Sequence, residues 1–317
     1  MKRLLASIGC LVFGLGLSCS ATAAQPLLTP QELQSRLASP QLRVIDIRES
    51  KIYLQNHLPG ALNAPYMLWR GPSSNPGELP ALDKLTGLVQ NLGLTPSTPV
   101  VVVSSGADAS DFGASARVYW TLKLLGLKEL SVLNGGVKAW VQAGLPQEKA
   151  ESMAQTSSYQ PQIDSGLLAT KVQIKQQLNK GDVTLVDARP ADFFNGETRA
   201  AAAKVPGTLP GAVDLPFSKW FTPGSALFVP LDQARQVAAS SPLPSGKETV
   251  SFCNTGHWAA TNWFAMSEVL GQKNVKLYAG SMVEWSQDVS GLPMDNVPGR
   301  LQQLLIDAKI WSAKTLP

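Results

Sequence analysis

"VTLVDARPADF", residues 183–193, carries a short, mostly β-branched run into Asp187-Ala188-Arg189 and then a proline. Such a run, halted by charge, reads as a buried strand whose C-terminal end opens into a loop. "LRVIDIRES", residues 42–50, reads the same way, with Asp46 and Arg48 repeating the Asp-x-Arg spacing. "HLPGALNAPY" (57–66) follows the earlier strand and "TLPGAVDLPF" (208–217) the later one, so the chain writes one pattern twice.

Each copy continues alike. "TPVVVVSSG" (98–106) and "ETVSFCNTG" (248–256) are further strands that stop at turn residues. Helical stretches follow at 114–126 and 259–271, each closed by a glycine suited to the left-handed cap. "LSVLNGGVKAW" (130–140) and "VKLYAGSMVEW" (275–285) add a strand, a tight turn and a tryptophan on a helix. Strands alternating with helices predict an α/β fold of two domains, each a parallel sheet flanked by helices. The divisions read as residues 25–144, a polar linker at 145–164, and residues 165–317. The tail "RLQQLLIDAKIW" predicts a packing helix with Leu301, Leu304, Leu305 and Ile310 on its apolar face. Trp220, Phe221, Trp263 and Trp285 read as core residues, and Ser281 and Met282 as packing at a strand-to-helix turn.

Met1, Lys2 and Arg3, an apolar run to about Leu17, and the small residues "SCSATAAQ" have the layout of a secretory signal peptide over residues 1–24. A retained anchor or a lipid attached at Cys19 fits less well: the run is short, and Gly16 stands where a lipid box wants an aliphatic residue. The expectation is a periplasmic or secreted protein with no stable membrane span after cleavage. Of three cysteines, Cys10 and Cys19 leave with the leader, so Cys253 is alone and no disulfide forms within the mature chain. A net charge of +4 without a Lys/Arg cluster suits a small anionic substrate and points away from nucleic acid. With His57 and His257 the only histidines, one in each half, no metal-binding cluster is expected.

In the order Asp-x-Arg, "LPGA" with a following proline, a strand ending at the site position, and "GG" or "GS" before "KAW" or "VEW", written twice, the chain resembles the tandem-domain rhodanese family of thiosulfate and 3-mercaptopyruvate sulfurtransferases. The resemblance spans nearly all of the mature chain. It places Cys253 at the family's nucleophile position and Ser104 or Ser105 at its counterpart, which implies a noncatalytic first domain and a catalytic second one. It further implies thiosulfate as donor, with 3-mercaptopyruvate as the alternative, cyanide or a thiol as acceptor, and no cofactor.

The loop after Cys253 has its own physical reading. Asn254, Thr255, Gly256, His257, Trp258 and Ala259 precede or open a helix, where backbone N–H groups lack intrahelical partners and cradle an anion. Such surroundings favour a thiolate, which attacks a sulfane sulfur and holds it as a persulfide. Gly256 fits a tight turn that needs positive φ or no Cβ. His257 is a candidate substrate contact that could add positive potential. Arg189 reads first as a loop tie with Asp187, as Arg48 does with Asp46, and remains a candidate substrate contact beside Arg199 and Lys204 in the inserted stretch near 195–206.

This chain departs from the family in having Trp258 where a small hydroxyl residue is common, neutral Asn254 and Thr255 where thiosulfate-preferring members often carry basic residues, and Phe193 where many carry a basic one. A phosphatase of this fold needs an arginine six positions after the cysteine, and Ala259 stands there. A second rival is a relay that takes persulfide sulfur from a partner protein and passes it on to a sulfur-accepting protein, with little turnover of small donors.

Overall fold

The structure is a computed structural model that describes residues 25–178, 180–243 and 246–315. The leader read at residues 1–24 lies outside the described residues. Two wholly parallel sheets follow one another along the chain. The first comprises β1 (Leu27–Leu28), β2 (Arg43–Asp46), β3 (Leu62–Asn63), β4 (Val100–Val103) and β5 (Leu130–Leu133), in the order β1-β5-β4-β2-β3. The second comprises β6 (Val183–Asp187), β7 (Val213–Asp214), β8 (Glu248–Phe252) and β9 (Val275–Leu277), in the order β7-β6-β8-β9. The orders coincide apart from β1, whose place in the second sheet is taken by a single parallel bridge from Leu168 to Leu277. Both faces of each sheet are covered, which is why consecutive strand residues are buried and β4 reads as an unbroken apolar run.

The repeat extends to side chains. Arg48 and Arg189 each clasp the carboxylate two residues before them and reach on to a carbonyl, Asn56 in one half and Gly207 in the other. Trp140 and Trp285 are fully buried, and each indole N–H donates to the carbonyl of a proline, Pro146 and Pro293. Trp220, Phe221 and Trp263 are buried as well. The segment at residues 151–164 is without helix or strand and is pinned to the first half, with Ser157 Oγ donating to Leu94 O and Tyr159 Oη to Leu125 O.

Two helices meet where the halves join: Phe112–Leu124, which follows β4, and Trp258–Trp263, which follows β8. The second helix runs on as a π-helical stretch, Phe264–Val269, where a plain α-helix was expected. Phe112 meets Phe221, Phe228 and Phe264 in edge or tilted contacts, Tyr119 Oη donates to Glu268, and Lys123 pairs with the same carboxylate at 2.7 Å. The apolar core therefore runs through both halves without a break.

The tail forms the expected helix, Arg300–Thr315, but the expected apolar face is not buried. Leu301, Leu304 and Leu305 are exposed and Ile310 is half-buried, whereas Ile306 is the residue that packs inward. The helix is anchored by charge as well, through Arg199 and Asp307 at 2.7 Å. Among the described residues no helix is long and apolar enough to cross a membrane.

A buried amide beneath this interface gives a stability test. Asn262 accepts from the Trp220 indole at 2.8 Å and donates to Leu215 O at 2.7 Å, all fully buried. Asn262→Leu keeps the branched outline of the side chain and leaves both partners without a hydrogen-bonding group, so the expected loss is about 2–4 kcal/mol, read as a lower urea midpoint.

Candidate active site

Register decides which residues correspond. Asp46 lies opposite Val103, and Asp187 opposite Phe252, so the residue after each, Ser104 and Cys253, occupies the same place. The next turn agrees: Val137 N donates to Ser104 O, and Met282 N donates to Cys253 O at 3.0 Å. Ser104, not Ser105, is the counterpart of the cysteine. Cys253 is 1 % exposed and packs against the core, yet one side of it opens on a pocket of about 170 Å³. Arg70, Ser110, Asn254, Thr255, His257 and Trp258 line that pocket with it.

The loop is held from below by Ser281. Its Oγ accepts from Cys253 N at 3.0 Å and Gly256 N at 3.1 Å, and donates to Tyr278 O at 2.7 Å, so every hydrogen-bonding position of the hydroxyl is used. Ser281 adopts φ +53, an uncommon angle for a residue with a side chain, and thereby aims the hydroxyl into the loop. The packing role expected of Ser281 understates it. The Gly256 amide, expected in the anion cradle, is committed to Ser281, whereas those of Asn254, Thr255, His257, Trp258 and Ala259 find no protein acceptor among the described residues. Gly256 itself has φ +66, and a Cβ there would lie 2.5 Å from both Ala279 O and Arg117 Nη1.

Four first-half residues that the sequence reading did not single out complete the site. His257 Nε2 stands 2.8 Å from Ser110 O, which can only accept, so that nitrogen carries the proton. Nδ1, at 2.8 Å from Tyr66 Oη, then accepts from the phenol, and Arg70 Nη1 donates to the same oxygen at 3.0 Å. Arg70 Nη2 holds Thr255 O at 2.9 Å. Burial first, then Arg70 and Arg117, lower the His257 pKa to about 4. The histidine is thus neutral with both ring nitrogens engaged, which corrects the expectation that it adds positive potential. Arg70 and Arg117 supply the charge.

Arg189 is buried against Asp187 and Gly207 O, and its Nη1 meets Asn254 Oδ1 at 3.3 Å, so it steadies the loop from behind. Neither Arg199 nor Lys204 lines the pocket. Arg199 is engaged with Asp307 and with carbonyls of its own loop, while Lys204 N donates to Ser286 Oγ, placing the inserted stretch against the C-terminal elements. Trp258 forms one wall: it stacks on Phe217 at 5.0 Å and 4°, meets Phe193 edge-on, and donates its indole N–H to Ser110 Oγ at 2.7 Å. Phe193, where a basic side chain is common, is an aromatic support for that wall. Among the described residues no group of acidic, cysteine or histidine side chains could hold a metal.

The neutral histidine has a consequence in acid. Its pKa is about 4 folded and 6.5 in the unfolded chain, so the unfolded state takes up the proton first as pH falls from 6.5 towards 4. Stability is fully present above pH 6.5, and roughly 3 kcal/mol is lost across that window. Urea midpoints at pH 7 and pH ~4.5 are expected to differ less in His257→Gln than in the natural protein.

The pattern of the Rhodanese-like domain matches residues 29–143 and again residues 170–288. A probable 3-mercaptopyruvate sulfurtransferase of Pseudomonas aeruginosa is 34 % identical, covering 83 % of this chain and 95 % of its own. A putative thiosulfate sulfurtransferase of Synechococcus elongatus is 29 % identical over 90 % of this chain and 89 % of its own. Among solved structures, the rhodanese-fold SseA of Escherichia coli, described as a 3-mercaptopyruvate sulfotransferase, superposes with a TM-score of 0.71 at 21 % identity, covering 81 % of this chain and 98 % of its own. An anaerobic ergothioneine biosynthesis enzyme of Chlorobium limicola superposes at 0.75, also at 21 % identity, over 86 % of this chain and 71 % of its own. With two matched domains filling most of its length, and relatives named sulfurtransferases, the chain belongs to the rhodanese-like family as a tandem member.

Proposed function

We propose that the protein moves a sulfane sulfur from thiosulfate to a thiophilic acceptor through a persulfide on Cys253. The observation that carries this reading is the setting of the thiol: at the floor of a small pocket, beneath a loop with five uncommitted amides, beside the Arg70 guanidinium. The Cys253 thiolate attacks the outer sulfur of thiosulfate. The new Cys–S–S⁻ bond forms as the sulfur–sulfur bond of the donor breaks, and sulfite leaves with the electron pair. Cyanide or a thiolate then takes the outer sulfur and restores the cysteine thiolate, in two half-reactions with ping-pong kinetics. The free amides of Asn254, Thr255, His257, Trp258 and Ala259 offer stabilisation to the terminal sulfur anion. Arg70 offers planar, paired donors to the oxyanion end of the donor.

A second donor, 3-mercaptopyruvate, is supported by the neutral side chains of Asn254 and Thr255 and by the Pseudomonas relative's name. Its carboxylate would take the place of the sulfite end against Arg70. An exported location, read from the leader, belongs to the same proposal.

Incubation of the purified protein with each donor in turn, followed by mass spectrometry of the Cys253 peptide, is expected to show a gain of one sulfur with thiosulfate, absent in Cys253→Ser. No gain from either donor would refute the reading, a gain from 3-mercaptopyruvate alone would move the donor assignment, and loading only from a persulfidated protein would favour the relay. Arg70→Met is expected to raise the KM for thiosulfate roughly tenfold or more, with a smaller effect on kcat.

A further inference from the structure

Arg117 lies in the middle of the Phe112–Leu124 helix, in the half of the chain whose strand ends at Ser104 instead of a cysteine. Its side chain is completely buried (0 % exposed). No carboxylate among the described residues lies within ion-pair distance of it. Nη2 donates to Gly77 O at 2.8 Å, Nη1 reaches Gly256 O at 3.3 Å, and Nε has no partner. The guanidinium sits 5.1 Å from the centre of the Trp120 ring. A buried cation with no opposing charge is costly, by several kcal/mol even after relaxation.

The loop it touches points to the missing partner. Nη1 reaches Gly256 O, and the amides of Gly256 and Cys253 share the Ser281 hydroxyl, so Arg117 packs on the loop that carries the thiol, where Arg70, Tyr66 and Cys253 are the groups whose charge acts on it. Burial raises the Tyr66 pKa, so the phenol stays protonated at neutral pH, and it is already committed to His257. His257 is neutral, and the Asp187–Arg189 pair behind Asn254 is internally compensated. Only the sulfur of Cys253 can become an anion here. The loop is also built for the approach, because Gly256 lacks the Cβ that would press on Nη1. Burial and then Arg70 bring the Arg117 pKa down to about 9, which leaves it charged at neutral pH.

We propose that Arg117, contributed by the half that lacks a cysteine, is the buried counter-cation of the sulfur anion on Cys253, both as thiolate and as persulfide. It is a positioning residue: it touches the Gly256 carbonyl and acts on the sulfur through the field inside a dry interface. The inference rests on Cys253 being the sulfur carrier, and it gives the first half an electrostatic role beyond scaffolding.

The test is the rate of Cys253 alkylation by iodoacetamide as a function of pH, which needs no sulfur donor and therefore can succeed where the donor assignment fails. In Arg117→Gln the half-maximal rate is expected to move up by about one pH unit, a roughly tenfold loss of rate on the acid side, with Arg117→Lys largely restoring the natural profile. An unchanged profile in a folded Arg117→Gln protein overturns the proposal. Should that variant not fold, the natural protein is compared with Cys253→Ser by thermal melting. A counter-ion pair makes the stability advantage of the cysteine grow with rising pH, because the anion is lost as pH falls, and an advantage that stays level from pH ~5 to pH ~9 overturns it equally.

Discussion

The site depends on one steric constraint: backbone of the second half must come close to the first half with no Cβ in between. Three glycines permit it. A Cβ on Gly113 would lie 2.8 Å from His257 Nε2, one on Gly77 would lie 2.2 Å from Ala279 O, and one on Gly256 would meet both Ala279 O and Arg117. That proximity lets Tyr66, Arg70, Ser110 and Arg117 reach a loop more than a hundred residues away in sequence. It also buries the Arg117 guanidinium completely, while Arg70 lines the pocket at the half-buried rim.

Within that joint each polar group has a defined task. Ser281 supports the loop from the sheet side, Arg189 fixes Asn254 from behind, and the Arg70–Tyr66–His257–Ser110 chain seals the rim. Because these bonds occupy the Ser281 hydroxyl, the Tyr66 phenol and both His257 ring nitrogens, the groups left open around Cys253 are backbone amides and the remaining N–H donors of Arg70. Trp258 and its two phenylalanine neighbours close the remaining wall with apolar surface, so the pocket is narrow and anion-seeking at its floor.

Much of the fold was legible because the repeat states it twice. Mostly β-branched runs followed by Asp-x-Arg report buried parallel strands, and their two copies predict two parallel sheets, as observed. The tail helix was legible as a helix but not in its contacts: its period marks several apolar residues, and which of them is covered depends on where a neighbour lies, so Ile306 is buried and Leu301 is not. Arg199 and Lys204 carry charge and lie near Phe193 in sequence, and neither property reports the side of the molecule on which a loop lies.

Sequence alone determined the repeated α/β architecture, the cysteine at the end of the later strand and the glycine three residues after it, because these follow from local periodicity, composition and backbone freedom. Tertiary structure alone decided what surrounds the sulfur. Arg117 looks like one charge on an apolar helix, and Ser281 like a turn residue, until the two halves close. Charge and hydrogen bonding act through distances of a few ångströms, and those distances are set by packing between segments that the order of residues does not relate.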